Sequence, residues 1–345
     1  MDPHMIELPR IVMIGNRVLE KLPDVCRELE HEKDILILAD SKTKGIAGEK
    51  SRALLEDAGM HVVTDIVAGS TEAEIGRLVE KHRPAIVIAA GGGTVIDVSK
   101  MVAYRRNVPF ISVPTAPSHD GIASETASIT GKDGKKHSIR AKPPIAIVAD
   151  IGVLKSAPYR LIASGSADAI SNLTAVKDWK LSHKAKGEYY SEYAASLSLL
   201  SSEIVIKSAD IIRKQSERGV RNLIEALISS GISMSLAGSS RPASGAEHAF
   251  SHALDSMGTS SLHGEQCGLG SILMSYHQGL DWERIRDALR AVGSPVTKDE
   301  IGISKQAIVD AVVGVKEVRE RYTIMNEKPL DAKGAEDLCR ATGVC

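Results

Sequence analysis

Apolar and polar positions follow two different rhythms along this chain, and the change falls near residue 155. Before it, short apolar runs are separated by stretches of helical spacing. Strands are expected at Ile11 to Gly15, Asp34 to Ala39, His61 to Val67, Ala85 to Ala90 and Pro109 to Val113, with helices near 18–29, 44–58, 71–82 and 94–105. The runs ILILA and AIVIAA are apolar at every position, as strands are when helices cover both faces of their sheet. This order predicts a parallel, doubly wound sheet, which takes its ligands at the carboxyl ends of its strands. ETASITGKDGKKHSIRAKP, with Gly131 and Asp133–Gly134 between β-prone runs, reads as a peripheral hairpin before a last strand, IAIVA.

From about Leu154 the strands stop. Segments around 159–182, 188–213, 218–237, 243–257, 265–279, 281–292, 304–320 and 331–342 have apolar spacing near 3.6. The expected architecture is an α/β Rossmann-like parallel-sheet domain over 1–155, followed by an all-α helical domain over 156–345, joined near Ile151 to Pro158. Without an internal repeat or flexible linker, the two should pack directly and leave a cleft between them.

Composition narrows the function without naming it. The chain has 345 residues, an apolar fraction of 43%, and 43 basic against 44 acidic side chains for a net charge of −1. No large field draws nucleic acid or an anionic membrane, so an anionic ligand must be held by a local pocket. Cys26, Cys267, Cys339 and Cys345 are scattered, and neither a signal peptide nor a long apolar run is present. A cytoplasmic protein without disulfides or membrane insertion is expected. The opening MDPHM reads as a cloning remnant before a native start at Met5.

Chemistry concentrates in Gly238 to His263, GSSRPASGAEHAFSHALDSMGTSSLH, which gathers three of the chain's eleven histidines. His248 and His252 stand one helical turn apart and share a face; His263 follows on a glycine- and serine-rich loop, and Cys267 comes four residues later. Any one of these histidines alone is ordinarily a polar residue with a satisfied hydrogen bond, but together they suit Zn²⁺, which in catalytic sites uses three protein ligands and keeps one position open. Spacing alone allows both His248 and His252 to ligate. Cys267 as a fourth ligand would close the site, so it reads as a small buried thiol.

Three other stretches carry candidate polar groups. AAGGGTVIDVSK, residues 89–100, runs from a strand through Gly91, Gly92 and Gly93 into a helix, a geometry that suits a tight bend or a pyrophosphate at the helix N-terminus. It lacks GxGxxG and follows the fourth strand, not the first. ISVPTAPSHDGIASE, residues 111–125, offers Thr115, Ser118, His119, Asp120 and Ser124 on a loop whose composition also fits plain turn chemistry. SGSADAISN, residues 164–172, sets Asp168 among small residues, where a lone carboxylate is costly unless a cation meets it.

GGGTVID, TAPSHDG, SGSADAISN and SRPASGAEHAFSH followed by HGEQCG, in this order over almost the whole chain, resemble the archaeal-type sn-glycerol-1-phosphate dehydrogenases. These belong to the dehydroquinate synthase-like and iron-containing alcohol dehydrogenase superfamily. The resemblance implies that Asp168, His248 and His263 coordinate Zn²⁺. It implies that Gly93 through Asp97, Thr94 among them, and Thr115 through Ser118, with Ser124, hold NAD(H) or NADP(H). It assigns the substrate, dihydroxyacetone phosphate, to Asp120, Asp168 and His252, which form the implied catalytic set, and a homo-oligomer is expected. Asp40, ending the second strand in LILADSKTK, suits ribose hydroxyls and NAD, whereas Lys42 and Lys44 suit a 2′-phosphate. Two rivals stay open: a glycerol dehydrogenase or dehydroquinate synthase-type lyase of the same fold, and a dinucleotide- and zinc-binding protein without catalysis.

Overall fold

The computed structural model describes residues 6–345, so the MDPHM stretch lies outside the described residues. The chain divides into two compact units, Met1–Pro158 and Tyr159–Cys345.

In the first unit, β1 (Ile11–Gly15), α1 (Leu22–Glu28), β2 (Ile35–Ala39), α2 (Glu49–Asp57), β3 (Val62–Ile66), α3 (Glu72–Lys81), β4 (Ile86–Gly91), α4 (Gly93–Arg106) and β5 (Phe110–Pro114) alternate as the pattern predicts. The hairpin β6 (Thr126–Thr130) and β7 (Lys136–Arg140) follows, then β8 (Ala146–Asp150) and the short α5 (Ile151–Lys155). Six strands form one parallel sheet in the order β1-β8-β5-β4-β2-β3. The inner strands β2, β4, β5 and β8 are buried at every position, which is why their sequence shows no alternation. The edge strands β1 and β3 carry exposed positions instead. The hairpin is less peripheral than expected. Its outer strand is largely exposed, but Ala127 and Ile129 of the inner strand are fully buried, and Ser128 N donates to Asp97 Oδ2 on α4 at 3.1 Å.

Helices build the second unit: α6 (Tyr159–Lys186), α7 (Glu192–Lys207), α8 (Ala209–Arg213), α9 (Glu217–Ala237), α10 (Ala246–Ser256), α11 (His263–Gln278), α12 (Trp282–Ala291), α13 (Lys305–Val318), α14 (Ile324–Glu327) and α15 (Ala332–Thr342). The segment expected as one helix over 188–213 is split at Ser208, which leaves helical geometry at φ −100°, ψ 4°. The segment expected over 304–320 stops at Val318, and Arg319 is extended at φ −146°, ψ 140°. Close packing of α11 on α6 depends on Gly264, where a Cβ would stand 1.9 Å from the Ser164 carbonyl oxygen. That approach carries the first residue of α11, His263, up to Asp168 in the middle of α6.

The expectation of no disulfide is overturned: Cys339 and Cys345 are bonded, with Cα atoms 5.4 Å apart. Gly343, at φ 68°, caps α15 in the left-handed region and turns the chain back on itself, which brings the two sulfurs together. Cys26 and Cys267 are free and buried. No described helix is long and apolar enough to cross a membrane.

Candidate metal and substrate site

Three helices of the second unit converge on one group of donor atoms. Asp168 from α6 is 2% exposed and His248 from α10 is 8% exposed. Asp168 Oδ1 lies 3.6 Å from His248 Nε2 and 3.7 Å from His263 Nε2. The two imidazoles meet edge to face at 5.0 Å between centroids. Ligands held about 2.0–2.2 Å from a tetrahedral ion stand about 3.3–3.6 Å apart, so this donor set fits a small divalent cation with little movement.

The far side of each ring is held as well. His248 Nδ1 bonds Glu247 Oε1 at 3.0 Å, and Ser251 Oγ lies 3.1 Å from His263 Nδ1. Each imidazole is thus gripped at Nδ1 and turns Nε2 toward Asp168, the arrangement that fixes ring orientation in metal sites. Glu247 is fully buried and is itself tied down: Gly245 N donates to its Oε1 at 2.6 Å and Thr174 Oγ to its Oε2 at 2.9 Å. Burial disfavours a charged His248, but the sulfur of Cys267 and the carboxylates of Asp168 and Glu247 outweigh it and favour positive charge there. A proton and a metal ion compete for that same Nε2 lone pair.

Cys267 is buried, as the sequence suggested, yet its Sγ is 3.5 Å from His263 Nε2 and belongs to the group whose donor atoms all lie within 4.8 Å of one another. Burial pushes its thiol up to about 11. His252 is outside that group, with its ring centroid 6.2 Å from that of His263. Its Nε2 faces Arg319 Nη2 at 2.7 Å. A guanidinium only donates, so this nitrogen accepts and the ring carries its proton at Nδ1.

Beneath the metal group Asp178 accepts from Ala246 N, Ile324 N and Gln278 Nε2, each at 2.8 Å. Burial, with the Glu247 carboxylate nearby, pushes it up to about 7.

In the first unit the cofactor candidates collect at the carboxyl ends of β2, β4 and β5. Register pairs Leu38 with Ala89 and Gly91 with Pro114, so Asp40, Gly91 and Thr115 follow on three neighbouring strands. The chain leaves β2 for one side of the sheet and β4 for the other, and at this switch point α/β sheets open a crevice. Helix α4 starts at Gly93 with no side-chain cap at Gly92, which leaves its first N–H groups for an anion. Cβ atoms at Gly91 and Gly93 would meet Val95 at 2.6 Å and the His119 ring at 2.1 Å, whereas the space at Gly92 is open.

Other candidates carry structural duties. Asp40 Oδ1 accepts from Lys42 N and Thr43 N at 2.9 and 2.7 Å, holding its own turn. Asp97 anchors the hairpin through Ser128, and Ser124 Oγ reaches Thr126 O at 3.4 Å. Asp120 opens a 3₁₀ turn, Asp120–Ile122, and its carbonyl accepts from Ala123 N and Ser124 N. Thr115 is buried, Ser118 is half-buried and Thr94 is exposed.

Sequence reasoning missed Glu247, Arg319, Arg321 and Lys100. Lys100 is 1% exposed, and its Nζ donates to Gly121 O at 3.0 Å and Thr126 O at 2.6 Å, joining the 115–125 loop to the hairpin. The only sequence signal for Glu247 and Lys100 was their place within GAEH and VSK.

Residues 13–158 match the family model described as iron-containing alcohol dehydrogenase. Glycerol-1-phosphate dehydrogenase (NAD(P)+) of Pyrococcus furiosus is 48% identical over 345 residues, covering 99% of this chain and 99% of the relative. Its counterpart in Methanosarcina mazei is 44% identical over 344 residues, covering 98% and 96%. Glycerol dehydrogenase of Schizosaccharomyces pombe shares the fold, with a TM-score of 0.82 at 20% identity over 99% of this chain and 91% of that one.

Proposed function

This chain belongs to the glycerol-1-phosphate dehydrogenase family, and from that premise we propose that it reduces dihydroxyacetone phosphate to sn-glycerol 1-phosphate with NADH or NADPH. The product would supply the backbone of ether phospholipids. The observation that carries this reading is the Asp168, His248 and His263 group, with both imidazoles held at Nδ1 and directed by Nε2 toward one carboxylate. Bound at these three residues, Zn²⁺ would supply Lewis acidity toward the C2 oxygen, while the nicotinamide would supply the hydride.

The chain's own groups bind, orient and move a proton. Glu247 and Ser251 fix the two imidazoles before substrate arrives, so the site is preorganised. His252 accepts from Arg319 at Nε2, and its Nδ1–H is the donor we assign to a substrate oxygen. Asp120 and Asp168 are the other substrate contacts in this reading. Gly91, Gly92, Gly93 and Thr94 would receive the pyrophosphate at the start of α4, with Asp97, Thr115, Ser118 and Ser124 completing the cofactor set. Asp40 favours a free ribose and Lys42 with Lys44 a 2′-phosphate, so both cofactors are accommodated.

We place the enzyme in the cytoplasm as a homo-oligomer, acting on a small molecule and neither on nucleic acid nor within a membrane. Oxidation of NADH with dihydroxyacetone phosphate, and its absence with dihydroxyacetone, is the expected result. A lyase of this fold would show no net NADH consumption, and a binding protein none at all. Metal analysis should find about one Zn²⁺ per chain, and an active preparation without bound metal would overturn that part.

A further inference from the structure

Past the end of α13 Arg319 is extended and the chain bends at Glu320, where Arg321 N donates to Arg319 O at 2.8 Å, and both guanidiniums nonetheless reach one residue. Both anchor on Ser244, just before α10. Arg319 Nη1 donates to Ser244 Oγ at 3.1 Å and Arg321 Nη1 to Ser244 O at 2.6 Å, while Arg321 Nη2 reaches Ser240 Oγ at 2.9 Å. Arg319 also touches His252, which stands between it and the metal-ligand group.

Arg321 differs from two other arginines of the second unit, which are held in ion pairs. Arg160 is paired with Glu265 through two bonds, at 2.6 and 2.8 Å, and Arg241 is paired with Glu188. Among the described residues no carboxylate lies within 4.0 Å of Arg321. Burial, and then the neighbouring Arg319 and Arg241, pull Arg321 down to about 9; burial likewise lowers Arg319. Holding two like charges together away from water is unfavourable, and a purely structural link to Ser244 would be met as well by neutral donors. A doubly charged anion reverses that balance, and two adjacent guanidinium forks match a phosphate geometrically.

We propose that Arg319 and Arg321, set on Ser244, form the subsite for the phosphate monoester of the substrate, with His252 between that phosphate and the metal-bound end. The inference rests on the dihydroxyacetone phosphate reading above and extends it to the group that distinguishes this substrate from dihydroxyacetone. It makes the arginine pair the determinant of phosphate specificity.

The test uses the zinc-loaded enzyme, NADH, and inorganic phosphate as the probe. In the native enzyme, phosphate should compete with dihydroxyacetone phosphate. In Arg321→Gln and Arg319→Lys, KM for dihydroxyacetone phosphate and Ki for phosphate should rise together by roughly 10- to 100-fold, the scale of one or two lost charged hydrogen bonds. Zinc content and KM for NADH should hold. A folded, zinc-loaded variant with both constants within twofold of native overturns the proposal. So does a raised KM with an unmoved phosphate Ki, which would mark a structural role. Should the variants fail to fold, arginine modification by phenylglyoxal in the native enzyme decides: phosphate should shield Arg319 and Arg321, and equal labelling with and without phosphate overturns the proposal. A native enzyme that reduces dihydroxyacetone as readily as its phosphate sinks the substrate reading instead, and the shielding result then judges the anion site alone.

Discussion

His248 and His252 share one face of α10, one turn apart, yet the structure gives them different neighbours, and replacing each by alanine separates their roles. His248 Nε2 is 3.6 Å from Asp168 Oδ1 and its Nδ1 is held by Glu247. On the proposed ligand set of three, removing it leaves Asp168 and His263. Loss of an outer-sphere partner alone weakens metal affinity about 10- to 100-fold, so loss of a ligand should exceed that and leave a metal-free, inactive protein after gel filtration. His252 contributes a contact to Arg319 at 2.7 Å. Its alanine variant should keep about one zinc per chain, lose a few degrees of melting temperature, and fall in kcat/KM by roughly 10²-fold or more, the scale of a lost proton donor. Zinc by plasma emission, NADH oxidation with dihydroxyacetone phosphate, and thermal melts by circular dichroism read the three outcomes. A His252→Ala protein without metal, beside a His248→Ala protein that retains it, would refute the assignment of both residues.

Glu247→Gln should keep the fold and lower zinc affinity about 10- to 100-fold, measured by competition with a chelating dye, since the amide replaces one acceptor oxygen beside His248 Nδ1; unchanged affinity would show that Glu247 does not orient the ring. Asp178, raised to about 7 in the fold, binds a proton more tightly there than in the unfolded chain. Its stabilising contribution is therefore complete at acid pH, declines between about pH 4 and 7, and is flat above. The stability deficit of Asp178→Asn relative to the native protein should be larger at pH 5 than at pH 8.5; a deficit that grows with pH contradicts the assignment. The enzyme should oxidise sn-glycerol 1-phosphate in preference to sn-glycerol 3-phosphate, and the opposite preference in a chiral-substrate assay would overturn the product handedness.

What the sequence revealed depended on how local the cause was. The runs ILILA and AIVIAA located β2 and β4 because burial on both faces forces unbroken apolar sequence. Asp168 stood out because a carboxylate among small residues needs a counter-charge. Glu247 looked like an ordinary residue in the first turn of a helix, and only the approach of α6 and α11 shows that it is buried against His248. Arg319 was absorbed into an overlong helix, since the apolar spacing of α13 gives no sign of its end at Val318, and Arg321 just past it carried no motif of its own. The disulfide was missed because six residues of separation say nothing of the chain reversal at Gly343. Cys267 was set aside as a ligand because a fourth donor would close the site, and one turn of α11 sets its sulfur 3.5 Å from His263 Nε2.

The three glycines at the head of α4 are unequal in what they permit. Gly91 and Gly93 are fenced by Val95 and His119, so a side chain at either disturbs the fold itself. Gly92 faces open space, at φ −82° where any L-residue is at ease. A lineage that drifted to alanine or serine there would pass every quality check of the folding cell while narrowing the space that our reading gives to a dinucleotide. Selection on that one position would therefore act through catalysis alone, and its silence or persistence across generations would record whether the cofactor was still in use.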